Sequence, residues 1–178
     1  HIRVAMDPGV QSLGSGFDRY SFVHEALPDL DFDEIKFEHS PFFVSSMTAG
    51  HDGSFSLNER LAKAAAAQGW AMGVGSQRRE LFDESAALEW KRIRALVPDI
   101  MFFGTIGVSQ LIHTELDVVR RLADSLEASA MIVHLNPLQE VLQAEGTPRF
   151  RGGLQAIERL ARDLGIPVIV KETGCGIS

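Results

Sequence analysis

Five short apolar runs alternate with helix-forming stretches between residues 42 and 170, and that alternation predicts an α/β fold built on a parallel sheet. Three observations carry the prediction. The runs begin at positions 42, 71, 100, 130 and 166, so they recur after 29, 29, 30 and 36 residues, one strand-plus-helix unit each time. They are near-continuous apolar segments rather than alternating ones, as strands covered on both faces require. Each also ends in hydroxyl, amide or charged side chains mixed with small residues, and ligands of α/β folds bind at such carboxyl ends. An open doubly wound sheet and part of a (β/α)8 barrel both accept five such units.

The totals suit a globular chain. Hydrophobic residues make up 45% of the 178 positions and charged residues 23%, enough for a substantial core in one domain. The 17 Lys and Arg against 24 Asp and Glu leave a formal charge of -7, which argues against a nucleic-acid or anionic-membrane surface. It leaves room for an anionic ligand held by a local basic cluster. Cys175 is the single cysteine, so no internal disulfide is available and a reducing, cytoplasmic setting is expected. No apolar run approaches the roughly 20 residues of a membrane span, and no basic-then-apolar start marks a signal peptide.

The elements follow in order. Residues 1–30 read as irregular, with Pro8, Gly9, Gly14 and Gly16 as turn signals and the aromatics of 17–22 packing on the main body. Residues 31–40 are acidic and turn-like. Residues 42–47 form the first strand. Ser56 and Glu59 make the S-x-x-E box that caps a helix whose body, 60–68, is rich in alanine, with Gly69 just past its end. Strands at 71–75, 100–104, 130–135 and 166–170 alternate with helices at 83–96, 115–126 and 153–164. Residues 1–40 are thus an N-terminal extension, and 1–178 one domain of five βα units. No helix covers the fifth strand, so the expectation is a portion of something longer.

The polar strand ends carry the chemistry. The fourth run leads into His134-Leu135-Asn136-Pro137-Leu138-Gln139-Glu140. Pro137 ends the strand because it has no N–H for the ladder. His134 and Asn136 are two apart and share a side in extended backbone. Ser45, Ser46 and Thr48 end the first run, Ser76, Gln77 and Arg78 the second, Thr105 the third, and Lys171 with Glu172 the fifth. Any one end is ordinary turn chemistry, but a parallel sheet places all five on one rim. Arg78 suits a phosphate or diphosphate. Lys171 suits a flavin ring, whose anionic reduced form its charge stabilises, or else an ion pair with Glu172. Glu140 is the best candidate for a hard-metal ligand, or else a helix-start carboxylate. No H-x-x-x-H, C-x-x-C, P-loop or G-x-G-x-x-G motif is present. Cys175, between two glycines, offers a thiol nucleophile as the rival chemistry.

Ser45-Ser46-Met47-Thr48, Gly75-Ser76-Gln77-Arg78, the heptapeptide from His134 and Val170-Lys171-Glu172, in this order, resemble type 2 isopentenyl-diphosphate isomerase. Phe17-Asp18-Arg19-Tyr20 and Val23-His24-Glu25-Ala26-Leu27-Pro28 are similar to its N-terminal region. The resemblance implies a flavin-dependent (β/α)8 TIM barrel of which this chain carries about five units, the C-terminal units being absent. It implies interconversion of isopentenyl and dimethylallyl diphosphate by proton addition and removal, with reduced FMN, Mg²⁺ and NADPH as reductant. By motif, Ser46, Met47, Thr48, Ser76, Thr105 and Lys171 would bind FMN, with Thr105 standing where the family carries asparagine. Ser76, Gln77, Arg78, His134, Asn136 and Gln139 would meet the diphosphate substrate. Gln139, His134 and Asn136 would serve at the chemistry, and Glu140 would bind Mg²⁺. A homo-oligomer, tetramer or octamer, is also implied. An FMN-dependent oxidoreductase of the hydroxy-acid oxidase or dihydroorotate dehydrogenase type is the alternative enzyme, and a non-catalytic flavin or phosphate-binding domain the alternative outside catalysis.

Overall fold

Strands β3 (Phe43–Val44), β4 (Ala71–Gly73), β5 (Phe102–Gly107), β6 (Ala130–His134) and β7 (Val168–Lys171) pair in parallel, each with the next in sequence. The computed structural model describes residues 2–6, 20–24, 40, 42–48 and 53–174. The sequential strand order excludes the doubly wound alternative, in which the order reverses part-way. It is the order of a singly wound sheet whose crossovers all have one hand, so the helices gather on one face. The eight-unit barrel is corrected by the same ladder. Among the described residues it holds five parallel strands with β3 and β7 at its edges, an α/β half-barrel, whereas closure of that barrel takes eight.

Each helix is set by local chemistry. Helix α1 (Ser54–Gln68) ends at Gly69, whose φ of 64° is the left-handed conformation that glycine adopts without strain. The helix starts two residues before the expected S-x-x-E cap, so Ser56 and Glu59 lie inside it, and Gly53 precedes it without a side-chain cap. Helix α2 (Glu84–Leu96) is capped by Asp83, which accepts from the Ser85 amide at 2.9 Å. Helices α3 (Val108–Leu111), α4 (Leu116–Leu126), α5 (Pro137–Leu142) and α6 (Gly153–Asp163) complete the face. Pro137 starts α5, where its missing N–H costs nothing. None of these helices is long and apolar enough to cross a membrane. In the N-terminal extension, read as irregular, β1 (Ile2–Met6) and β2 (Tyr20–His24) pair antiparallel. Residues 17–19, the acidic segment 31–39 and Cys175 lie outside the described residues.

The side chains of the strands alternate between two apolar layers. Met72, Val74 and Phe102 pack with Ala62, Trp90 and Ile93 of the helices, and Met131 and Val133 with Val119, Leu122 and Leu160. On the opposite face Ala71, Phe103, Ala130 and Ile132 form a smaller cluster. Phe103 there meets Phe43 edge-on at 5.6 Å between ring centres. Both faces are therefore apolar, which is why the runs are continuous.

Arg94 closes the end of the sheet opposite the polar strand ends. Its guanidinium lies 4.5 Å over the Phe102 ring. It donates to the carbonyls of Leu126 at 3.0 Å, Pro98 at 3.1 Å, Ile100 at 2.7 Å and Glu127 at 3.2 Å. One planar fork thus ties the end of α2, the entry to β5 and the end of α4. Arg94→Ala is expected to cost about 2–4 kcal/mol in denaturant unfolding, because several carbonyls lose their donor at once. Arg94→Lys should recover less than half, since one ammonium cannot span the fork; full recovery would show that charge alone matters.

Candidate functional site

The strand ends converge, and they separate into a buried frame and an accessible rim. In the frame, Thr105 is not at the strand end but inside β5, which runs three residues past its expected limit. Its hydroxyl donates to Ser46 Oγ at 2.9 Å, joining the ends of β5 and the β3 segment. Gln77 is 1% exposed. Its Oε1 accepts from the Thr105 amide at 3.1 Å, and its Nε2 donates to the Leu122 carbonyl at 3.1 Å and to Glu80 Oε2 at 3.2 Å. The Gln77 amide N–H donates to the Thr105 carbonyl at 2.8 Å, which extends the ladder past β4. Both halves of the Gln77 side chain are thus committed to the fold rather than offered to a ligand. Thr48 is likewise tied down, its hydroxyl donating to Asn58 Oδ1 of α1.

Glu140 also belongs to the frame. It is buried at 6% exposure on α5. Its Oε2 accepts from the Thr147 amide at 2.7 Å, and its Oε1 from Gln110 Nε2 at 3.4 Å. Arg78 Nη1 lies 3.9 Å from Oε2, and Arg78 Nη2 donates to the Glu145 carbonyl. Glu140 therefore clamps the loop after α5 to the 76–78 turn. Among the described residues, no three His, Cys, Asp or Glu side chains gather as metal ligands would. As folded, this one carboxylate is engaged by an amide, a side-chain amide and a guanidinium, and a Mg²⁺ held here would need the oxygens of a bound phosphate beside it.

The rim holds the rest. Gly107 of β5, His134 of β6 and Lys171 of β7 stand in register across three strands. A Cβ at Gly107 would meet His134 Nε2 at 2.9 Å and Gln110 Oε1 at 2.1 Å, so only glycine lets the imidazole lie against the strand end. His134 is half-buried, and burial lowers its pKa below 6.5; the Lys171 charge lowers it further, while Glu140 opposes both. The ring is neutral at pH 7 and offers one donor and one acceptor. Asn136 caps α5 by accepting from the Gln139 amide at 3.2 Å, and its Nδ2 donates to Gln139 Oε1. Met47 is 75% exposed, and Arg78, Ser76 and Lys171 are half-buried. The Glu172 carboxylate accepts from the Gly174 amide at 2.7 Å.

Two residues escaped the sequence reading. Glu80 follows Gln77 by three positions, on the short turn Arg79–Leu81, and burial together with the charge of Glu89 raises its pKa from 4.5 to about 7. Gln110 reaches Glu140 from α3. The i,i+3 spacing of Gln77 and Glu80 was the only signal available, since nothing local marks a carboxyl for burial.

No family model matches the chain. Over its whole length it is 51% identical to the isopentenyl-diphosphate delta-isomerase of Bdellovibrio bacteriovorus, 49% identical to that of Legionella pneumophila strain Corby and 40% identical to that of Halobacterium salinarum. The aligned stretches cover 55%, 55% and 52% of those proteins, so the chain spans about half the length of the curated relatives it matches. Their names do not distinguish the flavin-dependent type from the other.

Two titrations test the site. Glu80 binds its proton more tightly folded than unfolded. Stability is therefore expected to fall as pH rises from about 4.5 to about 7 and to level off above, by on the order of 1–3 kcal/mol. Chemical denaturation of Glu80→Gln should show that slope removed. The His134 ring, followed by NMR, should titrate below 6.5, and Lys171→Met should raise its midpoint; a midpoint unchanged by that substitution would separate the two groups.

Proposed function

We propose that this chain carries part of the site of an isopentenyl-diphosphate isomerase of the flavin-dependent type, which moves a carbon–carbon double bond by adding a proton to one carbon and removing one from another. The observation that carries the reading is full-length similarity, up to 51% identity, to proteins named for that reaction. The rim supports it in kind: one guanidinium, one ammonium and a neutral imidazole surround a small set of hydroxyls and amides.

Arg78 is the natural anchor for a diphosphate. Its fork is the group on the rim best shaped for paired phosphate oxygens, and a diphosphate would take over from the Glu145 carbonyl and Glu140. His134, held neutral, orients a substrate by hydrogen bonding without competing for the anion. Asn136 and Gln139 face solvent and bond to each other, so they can turn jointly toward a ligand. Gln139 is a neutral amide and a poor base, which makes orientation its natural part.

The donor set suits a flavin. Lys171 puts a cation at the strand end across the ladder from His134, and Ser76 and the exposed Met47 lie on the same rim, whereas Ser46 and Thr105 support it from the frame. When bound, reduced FMN would supply the proton donor and acceptor that these side chains lack, NADPH being the reductant implied. The chain's residues would hold the diphosphate at Arg78, keep the imidazole uncharged, and place a positive charge beside the ring.

The test is deuterium exchange. Protein supplied with FMN and NADPH in D₂O should move deuterium into isopentenyl diphosphate and form dimethylallyl diphosphate. Stoichiometric oxygen consumption without exchange would instead indicate an oxidoreductase. Arg78→Ala should raise the substrate KM at least about tenfold with a smaller change in kcat, as loss of a binding contact does. Lys171→Ala should release flavin, read as lost yellow absorbance after gel filtration.

A further inference from the structure

Glu80 carries a buried carboxyl oxygen that the proposed chemistry does not use. It sits on the turn directly after Arg78, under the rim. Its Oε2 accepts from Gln77 Nε2 at 3.2 Å and from Ser125 Oγ of α4 at 3.5 Å. Its Oε1 is buried and has no partner among the described residues. The same carboxyl lines a small cavity of about 30 Å³ with Thr48, Asn58, Ser76 and Trp90. Through Gln77 the chain of hydrogen bonds continues to the Thr105 amide, and from the Thr105 hydroxyl to Ser46. A single connected path therefore runs from α4 through Glu80 to the ends of β4, β5 and β3.

We infer that Glu80 is the positioning residue of this rim: as a neutral carboxylic acid it holds the turn at residues 76–78 in place through Gln77, and on ionisation it lets that turn go. The proton is assigned to Oε1, because Oε2 already accepts from Gln77. Ionised, Oε1 would carry charge where no donor meets it. The hydrogen bonds from Gln77 and Ser125 and the charge of Arg79 favour the ionised form, but burial outweighs them. Glu89 of α2 repels it, and Arg79 on its own turn is engaged by Asp83 at 3.1 Å and Glu89 at 3.2 Å. Among the described residues, α4 brings Ser125 and the Leu122 carbonyl, and α1 the neutral Asn58 and Ser54. An ionised Glu80 swings toward water, and Gln77 loses the partner that aligns it with Thr105. The raised pKa of about 7 places this change in the neutral range.

The functional meaning rests on the reading of the rim as a diphosphate site, whereas the coupling itself does not, so the experiment reads the coupling. In isotope-labelled protein, the Glu80 carboxyl carbon, the Gln77 side-chain NH₂ and the Thr105 amide are followed by NMR between about pH 5.5 and about pH 8.5. All three should shift with one midpoint near 7, and Thr105 amide exchange, corrected for its intrinsic pH dependence, should quicken at least about tenfold across it. In Glu80→Gln, which keeps the acceptor oxygen and cannot ionise, the Gln77 and Thr105 transitions should vanish. Persistence of those transitions in the variant, or a Glu80 carbon that titrates without moving Gln77 and Thr105, overturns the inference. Inorganic pyrophosphate added to the same samples separates the two readings. No shift at Ser76 or Arg78 on adding it, with the pH transition intact, overturns the diphosphate site and leaves the role of Glu80 supported.

Discussion

The double clasp between Gln77 and Thr105 is the constraint on which the site depends. One backbone and one side-chain hydrogen bond hold the segment after β4 against the middle of β5. The β4–β5 pairing is brief; β4 shares Met72 and Gly73 with β5. Beyond that, the backbone bonds of Val74 and Gln77 together with the Gln77 side chain hold the chain, or the rim would splay where β4 ends. Gln77 does this with an amide, which donates from one corner and accepts at the other. A glutamate there would bring a charge to a position 1% exposed, and a leucine would strand the Thr105 amide.

The same logic separates residues that resemble one another on paper. Ser46, Gln77, Thr105 and Glu140 are polar strand-end residues by position, yet each is buried and bonded inward. Ser76, Arg78, His134 and Lys171 come from the same segments and face outward enough to meet a ligand. A polar frame beneath a polar rim gives pre-organisation: the outward groups are fixed because the inward ones are satisfied.

Much of the α/β order was legible from the sequence. Continuous apolar runs such as 130–133 can only be strands covered on both faces, and Met131 and Ile132 do point into different clusters. Strand limits were less legible. The third strand was expected to end at Gly104, yet β5 runs on to Gly107, and Met131 and Gln77 crowd Gly104, leaving no room for a side chain. The first strand shrank from 42–47 to two residues, and Ser46 beyond them accepts from the Thr105 hydroxyl instead of continuing the ladder. The number of strands that make a closed ring is not a local property at all. It was carried by resemblance, and the ladder of five replaced it. At the site, residue types named the rim, but the direction each side chain takes depends on partners 28 and 59 positions away, as with Thr105 to Gln77 and to Ser46.

Arg78 already grips its own chain, through the Glu145 carbonyl and the Glu140 carboxylate. An incoming anion therefore takes part in an exchange rather than filling an open seat. A ligand with one weak negative group gains little from displacing two internal acceptors, while one presenting several phosphate oxygens replaces both and adds more. The internal grip thus acts as a threshold: it discounts every anion equally, and so leaves the site empty except for those that can engage the guanidinium at more than one corner.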